Sequence, residues 1–469
     1  MTTCGTLVLI LALSAPVWAA GTVEEVTYYS DAMGEDMVAL VYLPEGYDAS
    51  SDEYPVIFLV GGFETGYGNW LSTQGLTDEI DLLIGNGLVS PFILVEMDQL
   101  TMPWSQVPVP VPSFLVDSEL NGPYETTLIE DLVPWVDATY RTLGSRDQRF
   151  ILGRSAGGFS TMRIAMRHWD VFGGIGTQVG TIATEVIAGA LPMILGDYPE
   201  GPPYEFTPTA GTWSLYLFSW CAALTPNMTN PPWSVDLILD ADGNLDPDVW
   251  QRFSSNNATR WAAEMAASGG SLDVFMGAGD EDFYFPFTIV FADILDGLEL
   301  PYTLQIFHGD HDNPPPSVRF KSHITHFFPL NATLELKPRV LNGNHWWPLV
   351  EATIELPGDL DVADIDTMTL AITQINGDDL DQPLRALVAH DVSDVNGNGR
   401  DDLTVWFWKP SMLRLLDGLG ITNGEAFDLT IEGETTDLLF LAATDQASAV
   451  NLKSARAMPI WPFWPVAVD

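Results

Sequence analysis

The sequence predicts an α/β fold built on a mostly parallel sheet, followed by a smaller all-β, sandwich-like domain. Three observations carry this. Short unalternating apolar runs in the first half are separated by segments with apolar residues at helical spacing. Past about Leu330 that helical spacing fades and short alternating runs replace it. And 469 residues, 46% of them apolar, exceed what one hydrophobic core usually organises while excluding a disordered chain.

The elements follow in order. Leu7 to Leu13 is a short apolar run, and Val17-Trp18-Ala19-Ala20 supplies small residues for cleavage, so residues 1–20 read as an export signal although Met1 to Thr6 carries no Lys or Arg. That run is too short to span a bilayer, and no later stretch is long enough. Cleavage would remove Cys4 and leave Cys221 as a lone, buried small hydrophobe in a secreted or periplasmic protein. Val38 to Leu43, Val56 to Val60, Phe92 to Glu96 and Arg149 to Leu152 read as strands, and Glu125 to Tyr140 reads as a helix. Leu272 to Met276 and Tyr302 to Phe307 are further strands.

Charge narrows the partners. The chain has 64 Asp and Glu against 18 Lys and Arg, a formal net charge of −46, and no Lys or Arg precedes Arg141. Such a field repels phosphate backbones and anionic lipid surfaces, which argues against nucleic acid and favours neutral or weakly charged partners.

The segment Phe150-Ile-Leu-Gly153-Arg154-Ser155-Ala156-Gly157-Gly158 places G-x-S-x-G between an apolar strand and an amphipathic helix. On so tight a turn the serine is forced into a strained conformation with its hydroxyl exposed, and glycines flank it because side chains there would collide with neighbouring elements. Ser155 is the candidate nucleophile, and the N–H of Ala156 at the helix start can stabilise an oxyanion. A serine of this kind needs a histidine base and an orienting acid, in the order Ser, acid, His. The two downstream strands run into Gly277-Ala-Gly-Asp280-Glu281-Asp282 and His308-Gly-Asp-His311-Asp312, both at strand C-termini, where open parallel sheets build their sites. Asp280, first after the glycine turn, is the expected acid, with Glu281 and Asp282 as alternatives. His311 is the expected base, since His308 ends its strand, and His168, His323, His326, His345 and His390 read as structural.

These stretches resemble the esterase-D-like esterase family of α/β-hydrolases, which includes S-formylglutathione hydrolases, feruloyl esterases and mycolyltransferases. The resemblance runs from about Val38 to His326. It rests on Tyr54 to Phe63, on Asn121-Gly-Pro-Tyr-Glu125 with Asp131 to Thr142, on Gly153 to Gly158 continuing to Gly173, and on Gly277 to Asp280 and Gly309 to Asp312. It implies an α/β-hydrolase fold at residues 21–329 and a serine esterase, needing no cofactor for catalysis, with Ser155, Asp280 and His311 as its triad. Many members have His-Gly at the oxyanion loop where this chain has Val60-Gly61. That leaves Gly62 and Phe63 as alternatives for the second oxyanion donor, with Phe63 preferred beside Ala156.

Residues 181–262 interrupt the α/β alternation with a stretch rich in aromatics, including Trp213, Trp220 and Trp233. They read as a cap over the acyl or alcohol pocket, or as ordinary core packing. Beyond 330, alternating runs at Thr333 to Pro338, Leu349 to Leu356, Thr367 to Ile375, Asp402 to Trp408 and Phe427 to Gly433 predict a β-sandwich with its own core. Asp394-Val-Asn396-Gly-Asn398-Gly-Arg400-Asp-Asp402 has oxygen side chains at alternate positions, glycines and a further carboxylate. Such a loop can wrap Ca2+, with Asp394, Asn396, Asn398, Arg400 and Asp402 as the candidate metal positions, or can be an Asx-rich turn. Of the functional classes, hydrolysis of small or polymer-linked esters leads, ahead of acyl transfer on the same scaffold and a catalytically dead binding protein.

Overall fold

The computed structural model describes residues 20–452 apart from 64–68, 74, 181 and 389. The expected export signal, up to residue 19, lies outside the described residues.

Eight strands form the central sheet: β1 (Thr22–Ser30), β2 (Glu35–Leu43), β3 (Val56–Val60), β4 (Ile93–Met97), β5 (Arg149–Arg154), β6 (Gly174–Gln178), β7 (Asp273–Gly279) and β8 (Thr303–Phe307). Their order is β1-β2-β4-β3-β5-β6-β7-β8. Only β1 with β2 and β2 with β4 run antiparallel; every pairing from β4 to β8 is parallel. All five residues of β3, and likewise of β4 and β6, are buried, because helices cover both faces, and hence these runs do not alternate in sequence. Alternate side chains serve two cores. Phe58, Val60, Ile151 and Met276 face α3 (Ala156–Arg167), α5 (Ala258–Ala267) and α6 (Phe285–Gly297), whereas Ile57, Leu59, Phe150 and Leu152 face α1 (Leu76–Gly85) and α7 (Pro316–Phe327). A third core fills the region above the sheet around α4 (Trp213–Leu224), reaching down to Ala156 and Phe159. Val133–Thr139 is α2.

Past β8 the chain forms two further sheets. One holds β9 (Leu330–Asn331), β18 (Phe440–Val450), β17 (Ala426–Thr435), β13 (Ile365–Ile375) and β14 (Asp378–Arg385), with β11 (Val340–Asn342) also on β18. The other runs β10 (Thr333–Lys337), β12 (Leu349–Glu355), β16 (Asp402–Trp408) and β15 (His390–Ser393). Two expectations need correction. The region is not all β: Lys409–Gly418 forms helix α8, which buries Met412, Leu413 and Leu416 at helical spacing. Nor does it keep a core to itself. Its buried side chains, Leu336, Ile354, Ile372, Phe407 and Leu441 among them, belong to one continuous cluster with Ile57, Leu83, Phe92 and Phe328 on the α1/α7 face of the central sheet. Polar contacts close the same seam, from Asn331 N–H to the Leu88 carbonyl at 2.8 Å and from Phe440 N–H to Thr325 Oγ1 at 3.1 Å.

Candidate active site

Strand β5 ends at Arg154 and α3 starts at Ala156, which leaves Ser155 alone at the corner with φ 55° and ψ −121°. A serine is rarely held at positive φ, and this strained turn aims its side chain away from the sheet. The glycines make the turn possible. A Cβ on Gly157 would strike the carbonyl oxygens of Val60 and Gly61, and one on Gly153 the carbonyl of Gly157. Ala156 opens α3, where first-turn N–H groups lack helical acceptors and point their partial positive charge outward. After β3, the Gly61 carbonyl accepts from Nε2 of the fully buried Gln99 at 2.5 Å, which fixes the loop carrying Gly62 and Phe63. No motif in the sequence signals Gln99.

Ser155 and Phe63 line a cavity of about 280 Å³ together with Gly211, Thr212, Trp213, Tyr216 and Tyr284. Among the described residues the wall is aromatic and hydroxylic, without a charged side chain. Of the three tryptophans expected to contact substrate, Trp213 lines this cavity. Trp220 does not: it is fully buried against Phe114 and Phe159, at ring distances of 4.2 and 4.5 Å. Trp233 packs on Trp104 and Phe218 outside the lining. The physical reason is that α4 is buried nearly all round, so only its first turn meets the cavity. Tyr216, another aromatic of the 181–262 stretch, is also a wall residue, as is Tyr284, which no sequence motif singled out.

The structure does not pair the expected acid, Asp280, with His311. His311 Nδ1 lies 2.8 Å from Asp282 Oδ2, while Asp280 sits 3.2 Å from Nδ1 of the exposed His308 and accepts the Gly309 N–H. Asp282 N–H bonds back to the Gly279 carbonyl, a turn that carries Asp282 inward, where its side chain is 1% exposed. Asp280 remains 43% exposed, and the Gly309 amide followed by His308 holds its carboxyl below the usual range. Asp282 Oδ1 accepts the Tyr284 N–H at 2.8 Å, and the Tyr284 ring packs against the His311 ring at 5.2 Å. One cavity wall therefore touches His311, and His311 pairs with a buried carboxylate. The signal for Asp282 was its neighbour Tyr284, an aromatic residue buried beside it, whereas Phe283 between them stays exposed.

The other histidines are occupied elsewhere. His168 and two arginines surround the buried Glu125, whose carboxyl burial would raise but these partners hold low. His323 is buried between α7 and β6, and burial pushes it down to about 4.

A family model described as "Putative esterase" matches residues 30–288, more than half of the chain. The chain belongs to this esterase family. Among similar proteins, an endo-1,4-beta-xylanase/feruloyl esterase of Xylanibacter ruminicola is 31% identical over 158 residues, 33% of this chain and 21% of that protein. An esterase of Mycobacterium tuberculosis is 30% identical over 155 residues, 33% of this chain and 31% of that one. The esterase-family chain thus spans only about a fifth to a third of these curated relatives' own length. Solved structures resemble it at lower identity. They include a ferulic acid esterase (17% identical, TM-score 0.48, 66% of this chain and 97% of that one) and an S-formylglutathione hydrolase from Agrobacterium tumefaciens (16%, TM-score 0.44, 66% and 95%).

In the esterase-family chain, the loop at Asp394 to Asp402 folds on itself. Asp394 accepts the N–H groups of Gly397, Asn398 and Gly399, and Asp402 accepts those of Val395 and Asn396. Glu355 at the end of β12 joins it, within 2.9 and 2.8 Å of the side-chain nitrogens of Asn396 and Asn398. The Arg400 guanidinium reaches Glu355 and the Leu356 carbonyl. Among the described residues no group of three or more His, Cys, Asp or Glu side chains gathers as a metal site.

Proposed function

We propose that this chain is an extracytoplasmic serine esterase that cleaves carboxylic esters through an acyl-enzyme on Ser155. Ser155 Oγ attacks the ester carbonyl carbon while His311 takes its proton. The N–H groups of Ala156 and Phe63 hold the resulting oxyanion. His311 then returns the proton to the departing alcohol, and a water activated by the same imidazole releases the acid. Asp282 orients the imidazole and stabilises its charged form. The observation that carries this reading is the chain of contacts from the strained Ser155 through a shared cavity wall, Tyr284, to a His311 bonded to a buried carboxylate. Residues 21–329 form the catalytic domain, with 181–262 as its cap, and 330–469 the accessory domain.

The aromatic wall, uncharged among the described residues, and the net charge of −46 favour neutral esters with an aromatic acyl group, and the feruloyl esterase among the relatives points the same way. The accessory loop has only oxygen side-chain donors in Asp394, Asn396, Asn398 and Asp402, with Glu355 beside them. That is hard-cation chemistry, so we assign it a weak structural Ca2+ remote from the ester chemistry. Purified Ser155→Ala should stay folded and lose ester turnover by several orders of magnitude. Turnover of p-nitrophenyl acetate and methyl hydroxycinnamates, with and without a competing alcohol, checks this. Unchanged kcat in the variant would remove the mechanism, and dominant transfer to the alcohol would replace hydrolase by acyltransferase.

A further inference from the structure

We propose that Arg154 and Arg319 clamp the backbone carbonyl of His311 and thereby position the imidazole for Ser155, an inference that rests on the triad reading above. The His311 carbonyl accepts from Arg154 Nη2 at 2.6 Å and from Arg319 Nη2 at 2.8 Å. The same Arg154 nitrogen reaches Asp312 Oδ1 at 2.6 Å, so one guanidinium pins two consecutive residues of the base loop. Arg154 is the residue before Ser155, on β5, and Arg319 comes from α7. The nucleophile and the base are therefore coupled through one side chain, and braced from a second element.

The arrangement is not one that stability favours. Two like charges converge on one neutral acceptor, with Arg319 4% exposed and the Arg154 side chain 14% exposed. Burial and then Arg154 push the Arg319 guanidinium down to about 10. Nε of Arg154 and both Nε and Nη1 of Arg319 are buried without a hydrogen-bond partner, so each arginine adds a desolvation cost of its own. What the pair supplies is direction. The loop's other bonds hold its neighbours: Glu281 N–H meets the Gly309 carbonyl, and the Asp310 carboxylate accepts the N–H groups of Asp312 and Asn313. His311 itself is fixed at its ring by Asp282 and Tyr284, and at its carbonyl by the two arginines. Neither arginine lines the cavity, so both act through His311 and not on substrate.

The test compares wild type, Arg154→Met and the charge-keeping Arg319→Lys. Each is assayed for kcat, KM, melting temperature and rate of inactivation by a phosphonate ester that titrates Ser155. A displaced imidazole predicts that Arg154→Met loses roughly 30- to 100-fold in kcat with KM within about threefold, since small misplacements act on the chemical step. Inactivation should slow in parallel. Guanidinium ion below denaturing concentration should restore part of the rate in Arg154→Met and none in Asp282→Asn. Arg319→Lys, which keeps one donor, should show a smaller loss of the same kind. A folded Arg154→Met with kcat within about threefold of wild type, or a loss that follows melting temperature and ignores guanidinium, overturns the clamp alone. Failure of the phosphonate to label Ser155 in the wild type overturns the triad reading and the clamp with it.

Discussion

The two regions of this chain solve opposite problems with the same apolar core. On one side, the central sheet presents three loops at the C-terminal ends of β5, β7 and β8, and there strain and buried charge are concentrated: Ser155 at positive φ, Asp282 sealed from water, two arginines on one carbonyl. On the other, the region after β8 presents paired strands whose inward residues continue the core of the α1/α7 face. Costly local geometry tolerates little change, whereas a continuous hydrophobic surface spreads each loss over many neighbours. Chemistry and stability should therefore separate under mutation.

The largest expected effect tests the first half of that contrast. Asp282→Asn should lower kcat by about 10⁴-fold, as when an orienting acid is replaced and the imidazole adopts the wrong tautomer. Asp280→Asn, which disturbs an exposed pair with His308 and can still accept the Gly309 N–H through its amide oxygen, should leave kcat within a few-fold. Steady-state kinetics on the two purified variants decides. If Asp280→Asn proves the crippling change, the acid belongs to the exposed carboxylate and the geometry around His311 has been misread.

How much of this was legible in the sequence follows the same divide. The strand, elbow and helix around Ser155 were readable because their causes are local: an apolar run, glycines that avoid named carbonyls, and helical spacing after them. The pairing of His311 with Asp282 was not, because Asp280 and Asp282 differ only in which side of a turn they reach, and that is set by the Asp282 to Gly279 hydrogen bond. Trp220 misled for another reason. Helix α4 is apolar around its whole circumference, so composition could not distinguish a core tryptophan from Trp213 at the cavity. In the second region the strands were legible from alternation, but the shared core was not. Alternation shows that one face is buried and cannot show what it is buried against.

The seam gives the next prediction. Leu441, 1% exposed on β18, belongs to the cluster that joins both regions. Leu441→Ala should cost about 2–5 kcal/mol and lower the melting temperature of the whole protein in one transition, with kcat unchanged well below that temperature. Scanning calorimetry beside an esterase assay measures both. Two separated transitions, with only one moved by the substitution, would show that the regions fold independently despite their common core.

The smallest expected effect concerns calcium. Asp394, Asn396, Asn398 and Asp402 lie about one loop with Glu355 beside it, yet their oxygens already accept loop amides, and the Arg400 guanidinium competes for Glu355. Two asparagines in place of aspartates lower the charge further, so binding should be weak. A cation bound only to the folded state adds about 2.7 kcal/mol at a hundredfold excess over Kd, and less at lower excess. Because the accessory sheets share their core with the central sheet, that gain should appear as a modest rise of the single melting transition and not as a separate one. Removing calcium with EDTA should therefore lower the melting temperature by no more than about a few degrees while kcat stays constant, since the loop contributes nothing to the Ser155 cavity. An identical melt in EDTA and in excess Ca2+ would remove the metal. Activity lost on chelation and restored by Ca2+ without any change in melting would place the ion in the chemistry instead, and would erase the division of labour between the two regions.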